Sequence, residues 1–170
     1  MKRLIALGIS IGVLAGLWTA FALSIPDIGG YTTPFVVWIG FAAWAVFYAA
    51  GGRVPGLTKT LGSTISGLLW GFALLWAATQ VSAGSAVVLG LFVAFAAFGM
   101  CVQAAVPLLA FIPGAFIGAA AYFGNAGVFW STLISLVVGA LLAFASELLG
   151  DVIEKALSGR RASQPLTATT

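Results

Sequence analysis

Of 170 residues, 62% are hydrophobic and 6% charged, against roughly 25% charged in a water-soluble domain, and a soluble globular fold is excluded. With no histidine and one cysteine, the chain has no zinc-ligand cluster, no intramolecular disulfide and no triad that needs an imidazole base. No cofactor or metal is expected, an enzymatic role is disfavoured, and the net charge of +3 speaks to membrane topology, not to a nucleic-acid partner.

Charges divide the chain into six apolar segments, each a candidate for the roughly 20 residues that cross a bilayer. The first, residues 4–24, follows Lys2 and Arg3 and carries Gly8, Gly12 and Gly16 along one face. "MKR" ahead of an apolar run and "AFA" at Ala20 to Ala22 has the outline of a secretory signal, but the run exceeds the core of about 7 to 15 residues that a signal uses. It is therefore read as a span. The loop "IPDIGGYTTP" comes next, with Asp27 as a turn residue after Pro26.

The second segment, 35–50, is short and aromatic, with Trp38, Trp44 and Tyr48. Arg53 and Lys59 separate it from the third, 61–81, where Ser63, Gly67 and Gly71 recur every four residues. The fourth, 85–103, leads through "QAAVP" into the fifth, 108–124, which is short and interrupted by Pro113, Gly114 and Gly118. The sixth, 128–149, carries Ser131, Ser135, Gly139 and Ala143 on one face and has Glu147 at its end, with Asp151 and Lys155 an i to i+4 pair beyond it. Residues 1–157 form one six-span domain. The polar, aperiodic stretch 158–170 reads as a disordered tail.

With six crossings, all seven Lys and Arg residues fall on one side, and the positive-inside rule makes both termini cytoplasmic. Five crossings would strand a cluster on the wrong side.

Internal similarity points to two halves. "PFVVWIGFAAWAVFYAAG" from Pro34 aligns without gaps with "PLLAFIPGAFIGAAAYFG" from Pro107, and "STISGLLWG" from Ser63 aligns with "STLISLVVG" from Ser131. Each half holds three spans, so the two insert in opposite orientation, as in a 3+3 inverted repeat. The small-residue stripes at Gly8, Gly12, Gly16, at Ser63, Gly67, Gly71 and at Ser135, Gly139 are expected to be packing seams, because membrane helices associate where backbones approach closely.

The fifth segment raises the functional question. Pro113, six residues into the span, lacks an N–H and clashes with the carbonyl of Leu109 four residues back. Irregular backbone at membrane depth is tolerated where it is buried in protein or faces a watery cavity, and interrupted short helices hold solutes in transporters. Pro34, Trp38, Phe111, Pro113, Gly114, Phe116 and Gly118 are accordingly the candidate pore or solute-binding residues. No Asp, Glu, Lys or Arg lies mid-span, which argues against a buried proton relay.

The segments "LAGLWTAF", "WIGFAAWAVFYAAGG", "SGLLWG" and "FIPGAFIGAAAYFG" resemble the bacterial inner-membrane family catalogued as domain of unknown function 1097, over about residues 4–149. The resemblance implies a small six-span inner-membrane protein and no established activity. The three-plus-three layout is also similar to formate and nitrite channels and, more distantly, urea channels, whose signature motifs are missing here. The expected function is a channel or facilitator for a small neutral or weakly charged solute, working as a homo-oligomer in the lipid bilayer. The alternative is a non-transporting scaffold that binds other membrane helices. A transporter needs a polar path lined by the interrupted segments; a scaffold is packed shut there and turns its small-residue faces outward.

Overall fold

The computed structural model describes residues 1–25, 34–82 and 84–159. Among these residues the chain is all-helical: α1 (Lys2–Ser24), α2 (Val37–Ala49), α3 (Arg53–Ser82), α4 (Ala86–Val102), α5 (Ile112–Gly124) and α6 (Phe129–Gly159). Two single 3-10 turns, Gln103–Ala105 and Pro107–Leu109, precede α5. The turn expected at Asp27 and most of the expected tail lie outside the described residues, and α6 runs ten residues past the predicted end of the sixth span.

Length separates the helices into two kinds. α1, α3, α6 and the stretch Ala86–Ala105 are long and apolar enough to cross a membrane. α2 and α5 have 13 residues each, about 20 Å at 1.5 Å per residue, against roughly 30 Å of hydrocarbon. The chain is a polytopic membrane protein of six helices, of which the second and fifth are short.

The clash expected between Pro113 and the Leu109 carbonyl within one helix does not arise. Pro113 is the second residue of α5, after the N-cap Phe111, and Leu109 belongs to the preceding 3-10 turn. A first-turn proline gives up an N–H that has no helical acceptor, and its fixed φ suits a helix start. The ring therefore opens α5 instead of bending it. Pro55 sits in the first turn of α3 in the same way, and α3 begins at Arg53, eight residues earlier than the predicted span.

Close backbone contact holds the bundle together. α3 packs on α5, α6 packs on α2, α3 crosses α6, and α1 and α4 lie outside on α6 and α3. A Cβ added to Gly67 would enter the carbonyl of Ala115, and one on Gly118 would enter the carbonyl of Thr64. Gly71 lies against Ala119 and Tyr122, and Gly139 lies on the backbone of Gly40. Such approach maximises dispersion contact where lipid supplies no hydrophobic drive.

α1 departs from the expected pattern. A Cβ on Gly8, Gly12 or Gly16 meets nothing within 4 Å; these glycines are not a seam within the chain. The packed face carries Ala6 and Ser10, also four apart and buried, and Ser10 donates to the Ser146 carbonyl at 2.7 Å. Spacing marks small faces on α1, and two exist; the one with a hydroxyl able to bond α6 takes the contact.

The start of α2 is fixed from outside the helix. The Val36 N–H donates to Ser135 Oγ at 2.8 Å, and the indole N–H of Trp18 donates to the Val37 carbonyl at 3.2 Å. The Trp18 ring fills the space beside Gly40, where a Cβ would sit 2.7 Å from Nε1.

Gly67→Ala should destabilise the protein by about 2 kcal/mol through overpacking, whereas Gly12→Ala should leave stability unchanged. Unfolding in mixed micelles, followed by tryptophan fluorescence, checks the contrast. In the same assay Ser135→Ala, which leaves the half-buried Val36 N–H without its acceptor, should cost about 1 kcal/mol, and Thr79→Ala on the exposed face of α3 should cost nothing measurable.

Candidate functional site: two polar ends and an apolar centre

At one end of the bundle the turn between α2 and α3 is left-handed for three residues in succession: Gly51 at φ 100°, Gly52 at 67° and Arg53 at 57°. Glycine adopts this region freely, but a residue with a Cβ pays about 1 to 2 kcal/mol for it. Compensation for Arg53 comes from α6. Glu147, only 9% exposed, accepts the Arg53 backbone N–H at 2.6 Å and faces the guanidinium Nε at 3.3 Å. Asp151 takes NH1 at 2.6 Å and NH2 at 3.5 Å. A Cβ on Gly52 would lie 2.7 Å from the Glu147 carboxylate, so the turn is moulded to that side chain.

Asp151 thus pairs with Arg53 and not with Lys155 in the expected i to i+4 pair. A partner fixed by a buried neighbour outcompetes a solvated pair on one helix face, which contributes only about 0.5 kcal/mol or less. Beside the clasp lies a cavity of about 190 Å³ lined by Arg3, Tyr48, Gly52, Glu147, Asp151 and Glu154, among others. The hydroxyl of Tyr48, one of the lining residues, lies 2.8 Å from Ser146 Oγ.

At the other end, the amide of Asn125 donates to Ser131 Oγ at 2.6 Å, Thr132 Oγ1 at 3.0 Å and the Val128 carbonyl at 3.4 Å. Asn125 ends α5 and so ties it to the first turn of α6. Here too the turn is left-handed, at Ala126 and Gly127.

Between the ends the centre is apolar and packed. Ile39, Ala43, Leu68, Ala121, Tyr122 and Leu136 form one buried cluster where α2, α3, α5 and α6 meet. Hydroxyls flank it on both sides along the helices: Thr60, Ser63 and Thr64 precede Leu68 on α3, and Ser131, Thr132 and Ser135 precede Leu136 on α6, all buried. Thr64 and Thr132 donate to carbonyls one turn back, Thr60 and Val128, each at 2.7 Å. Thr60 Oγ1 is fully buried with no partner.

The seven pore candidates do not surround a common opening. Gly114 and Gly118 lie inside the α3–α5 seam, against Ser63 and the Thr64 carbonyl. Trp38 is 47% exposed and Phe116 45% exposed, so both face away from the centre, and Trp38 covers Gly124. Pro113 is exposed, and Pro34 and Phe111 are half-buried. Ile39, Leu68 and Leu136, which do meet at the centre, carry no sequence signal for that place, because leucine and isoleucine look like lipid-facing bulk in any apolar span. The clasp was missed for a different reason: Arg53 and Glu147 are 94 residues apart. A further pairing joins α3 to the end of α4, where the Trp70 indole donates to Gln103 Oε1 at 3.0 Å and Gln103 Nε2 donates to Ser66 Oγ at 2.9 Å.

Residues 8–151 match the model of a family described as a protein of unknown function, DUF1097. The chain is 31% identical to the inner membrane protein YcdZ of Escherichia coli (strain K12) over 147 positions, covering 85% of this chain and 84% of that protein. It is 32% identical to the uncharacterized protein YahC of the same organism over 173 aligned positions, covering 94% and 98% respectively, and 31% identical to the YcdZ protein of Salmonella typhimurium, covering 85% and 86%. No solved structure matches. With six helices, four of them long and apolar enough to span a bilayer, and a family match over most of its length, this chain is a membrane protein belonging to the DUF1097 family.

Proposed function

We propose that the protein is a facilitator for a small neutral or weakly charged solute in the bacterial inner membrane, with the Arg53 end and both termini cytoplasmic. The observation that carries this reading is the pair of short helices, α2 and α5, each about 20 Å long and each packed along a long helix, α6 and α3 respectively. Helices that begin within the membrane are costly to accommodate, and proteins that bind solutes at the midplane use them.

The route assigned to the solute lies between α2, α3, α5 and α6 and is closed in this structure by the packed cluster of Ile39, Leu68 and Leu136, which serves as its gate. Apolar constrictions of this kind close by expelling water. Selectivity rests on size and on hydroxyls such as Thr60 and Ser135, since no fixed charge lies mid-span. Support for the inverted repeat comes from equal burial at positions 68 residues apart: Ser63 with Ser131, Thr64 with Thr132, and Leu68 with Leu136. Both short helices also run beside the long helix of the opposite half.

A scaffold is the second reading, favoured by the packed centre and by the open glycine face of α1 at Gly8, Gly12 and Gly16. One experiment separates them. Stopped-flow swelling of proteoliposomes with urea, formamide, glycerol, acetate and ammonium should show protein-dependent entry of at least one solute, raised severalfold by Leu68→Ser and by Leu136→Ser. Permeability equal to protein-free vesicles for the wild type and both variants would leave the scaffold.

A further inference from the structure

After Val102 the chain leaves the α-helix for residues 103–111, with a 3-10 turn on either side of an extended Val106. Val106 and Leu109 donate back to the carbonyls of Gln103 and Val106, but the regular ladder that shields backbone from lipid is interrupted. Ala105, Val106, Pro107, Leu108 and Ala110 are exposed. The depth of this stretch follows from α3. Gln103 bonds Ser66 and the Trp70 indole, and the Leu108 carbonyl lies against Gly62. At 1.5 Å per residue α3 is about 45 Å long, and Ser66 and Trp70 each stand at least about 18 Å from either end. Hydrocarbon roughly 30 Å thick therefore covers both, wherever it sits along that helix. Irregular backbone at such depth is tolerated against protein or water, not against lipid tails. Beside it run two grooves that share Ser66 and Leu69: one of about 540 Å³ between α3 and Leu108, the other of about 340 Å³ at Trp70 and Gln103.

The other flank of the bundle carries a surface that matches in depth. α4 rests on α3 and α5, whereas α1 rests on α6 and α2. The exposed face of α1 holds Gly8, Gly12 and Gly16, where an added Cβ meets nothing of this chain. Arg3 and Gly52 line one cavity, so α1 and α3 set out from a common level, and both run antiparallel to α6. Gly12 and Gly16 follow Arg3 at the same intervals as Gly62 and Ser66 follow Arg53, which puts each pair about 14 and 20 Å above the clasp.

We propose that α1 of a second copy fills the groove, its Gly8–Gly12–Gly16 face laid on the 103–111 turns and on α3 at Gly62 and Ser66. The contact is head to tail, the kind that closes into rings, and all copies keep one orientation in the bilayer. Glycine suits it, because a helix without Cβ atoms comes close enough for Cα–H groups to meet exposed carbonyls. Acyl chains offer that backbone no polar neighbour. A two-fold contact of the turns with themselves would set carbonyl against carbonyl and leave the α1 face in lipid. The assembly does not depend on the facilitator reading.

The test uses the full chain in liposomes at high lipid-to-protein ratio. Cys101 is replaced by serine, and single cysteines are placed by Gly12→Cys or Leu108→Cys, both at exposed positions. A short bismaleimide should link the two variants when they are mixed and should link neither variant alone. Val87→Cys, exposed near the far end of α4, should not join Gly12→Cys. Gly12→Leu, which the bundle itself accommodates, should weaken association about tenfold or more in single-molecule photobleaching, with thermal unfolding of the chain unchanged. A wild-type chain that stays monomeric in dilute bilayers overturns the proposal, as do links confined to one variant alone or a Gly12→Leu chain that associates normally. Rapid labelling of Leu108→Cys by a membrane-impermeant maleimide also overturns it, since water would then be what covers the turns. None of these outcomes bears on solute entry, so the facilitator reading stands or falls separately.

Discussion

The bundle depends on backbones touching. In lipid an apolar side chain gains nothing by leaving its surroundings, so the energy of association comes from close contact and from hydrogen bonds that have no competitor in hydrocarbon. Gly67 and Gly118 let α3 and α5 meet carbonyl to Cα, and Gly139 does so for α6 on α2. Without those contacts a 13-residue helix has too little surface to stay in place, since helices of this length are marginal alone. The two short helices exist because the long ones give them glycine grooves.

From that arrangement the polar chemistry follows. A helix that starts inside the protein brings N–H groups that need acceptors, and Ser135 supplies one for α2. A chain that turns back sharply at the membrane edge needs left-handed residues, and Glu147 holds the one that is not glycine. Asn125 performs the equivalent joining at the far end, by bonding the hydroxyls of Ser131 and Thr132. Ser135, Asn125 and Glu147 join the beginnings and ends of the short helices to α6, buried hydroxyls such as Ser10 and Thr64 bond carbonyls of the long helices, and the centre is left to Ile39, Leu68 and Leu136.

How much could be read from the sequence varied with the range of the signal. Helix number and the shortness of the second and fifth follow from charge spacing and glycine content, which are local. The stripe at Ser63, Gly67 and Gly71 lies on α5, yet the equally regular stripe on α1 faces outward, because spacing identifies a small face without saying what opposes it. Pro113 is legible as a breaker but not as a starter: the distinction depends on whether an α-helix precedes it, and 103–111 hold only two single 3-10 turns. Among the pore candidates, Trp38 and Phe116 were chosen for bulk, and bulk in a membrane helix serves a lipid-facing surface as readily as a constriction. The clasp pairs residues 94 positions apart, beyond the reach of any pattern in a single chain.

That separation bears on how the protein is made. Nearly every group that fixes α2 belongs to α6: Ser135 at its first turn, Gly139 along its length, Ser146 opposite Tyr48, and Glu147 at the following turn. During synthesis α2 emerges long before α6, so the early half of the chain enters the membrane without the partner that gives it shape. α6, made well after α2, completes the first half, and a nascent chain that stops short of α6 has an unanchored rod exposed to whatever insertion or quality-control machinery attends the bilayer.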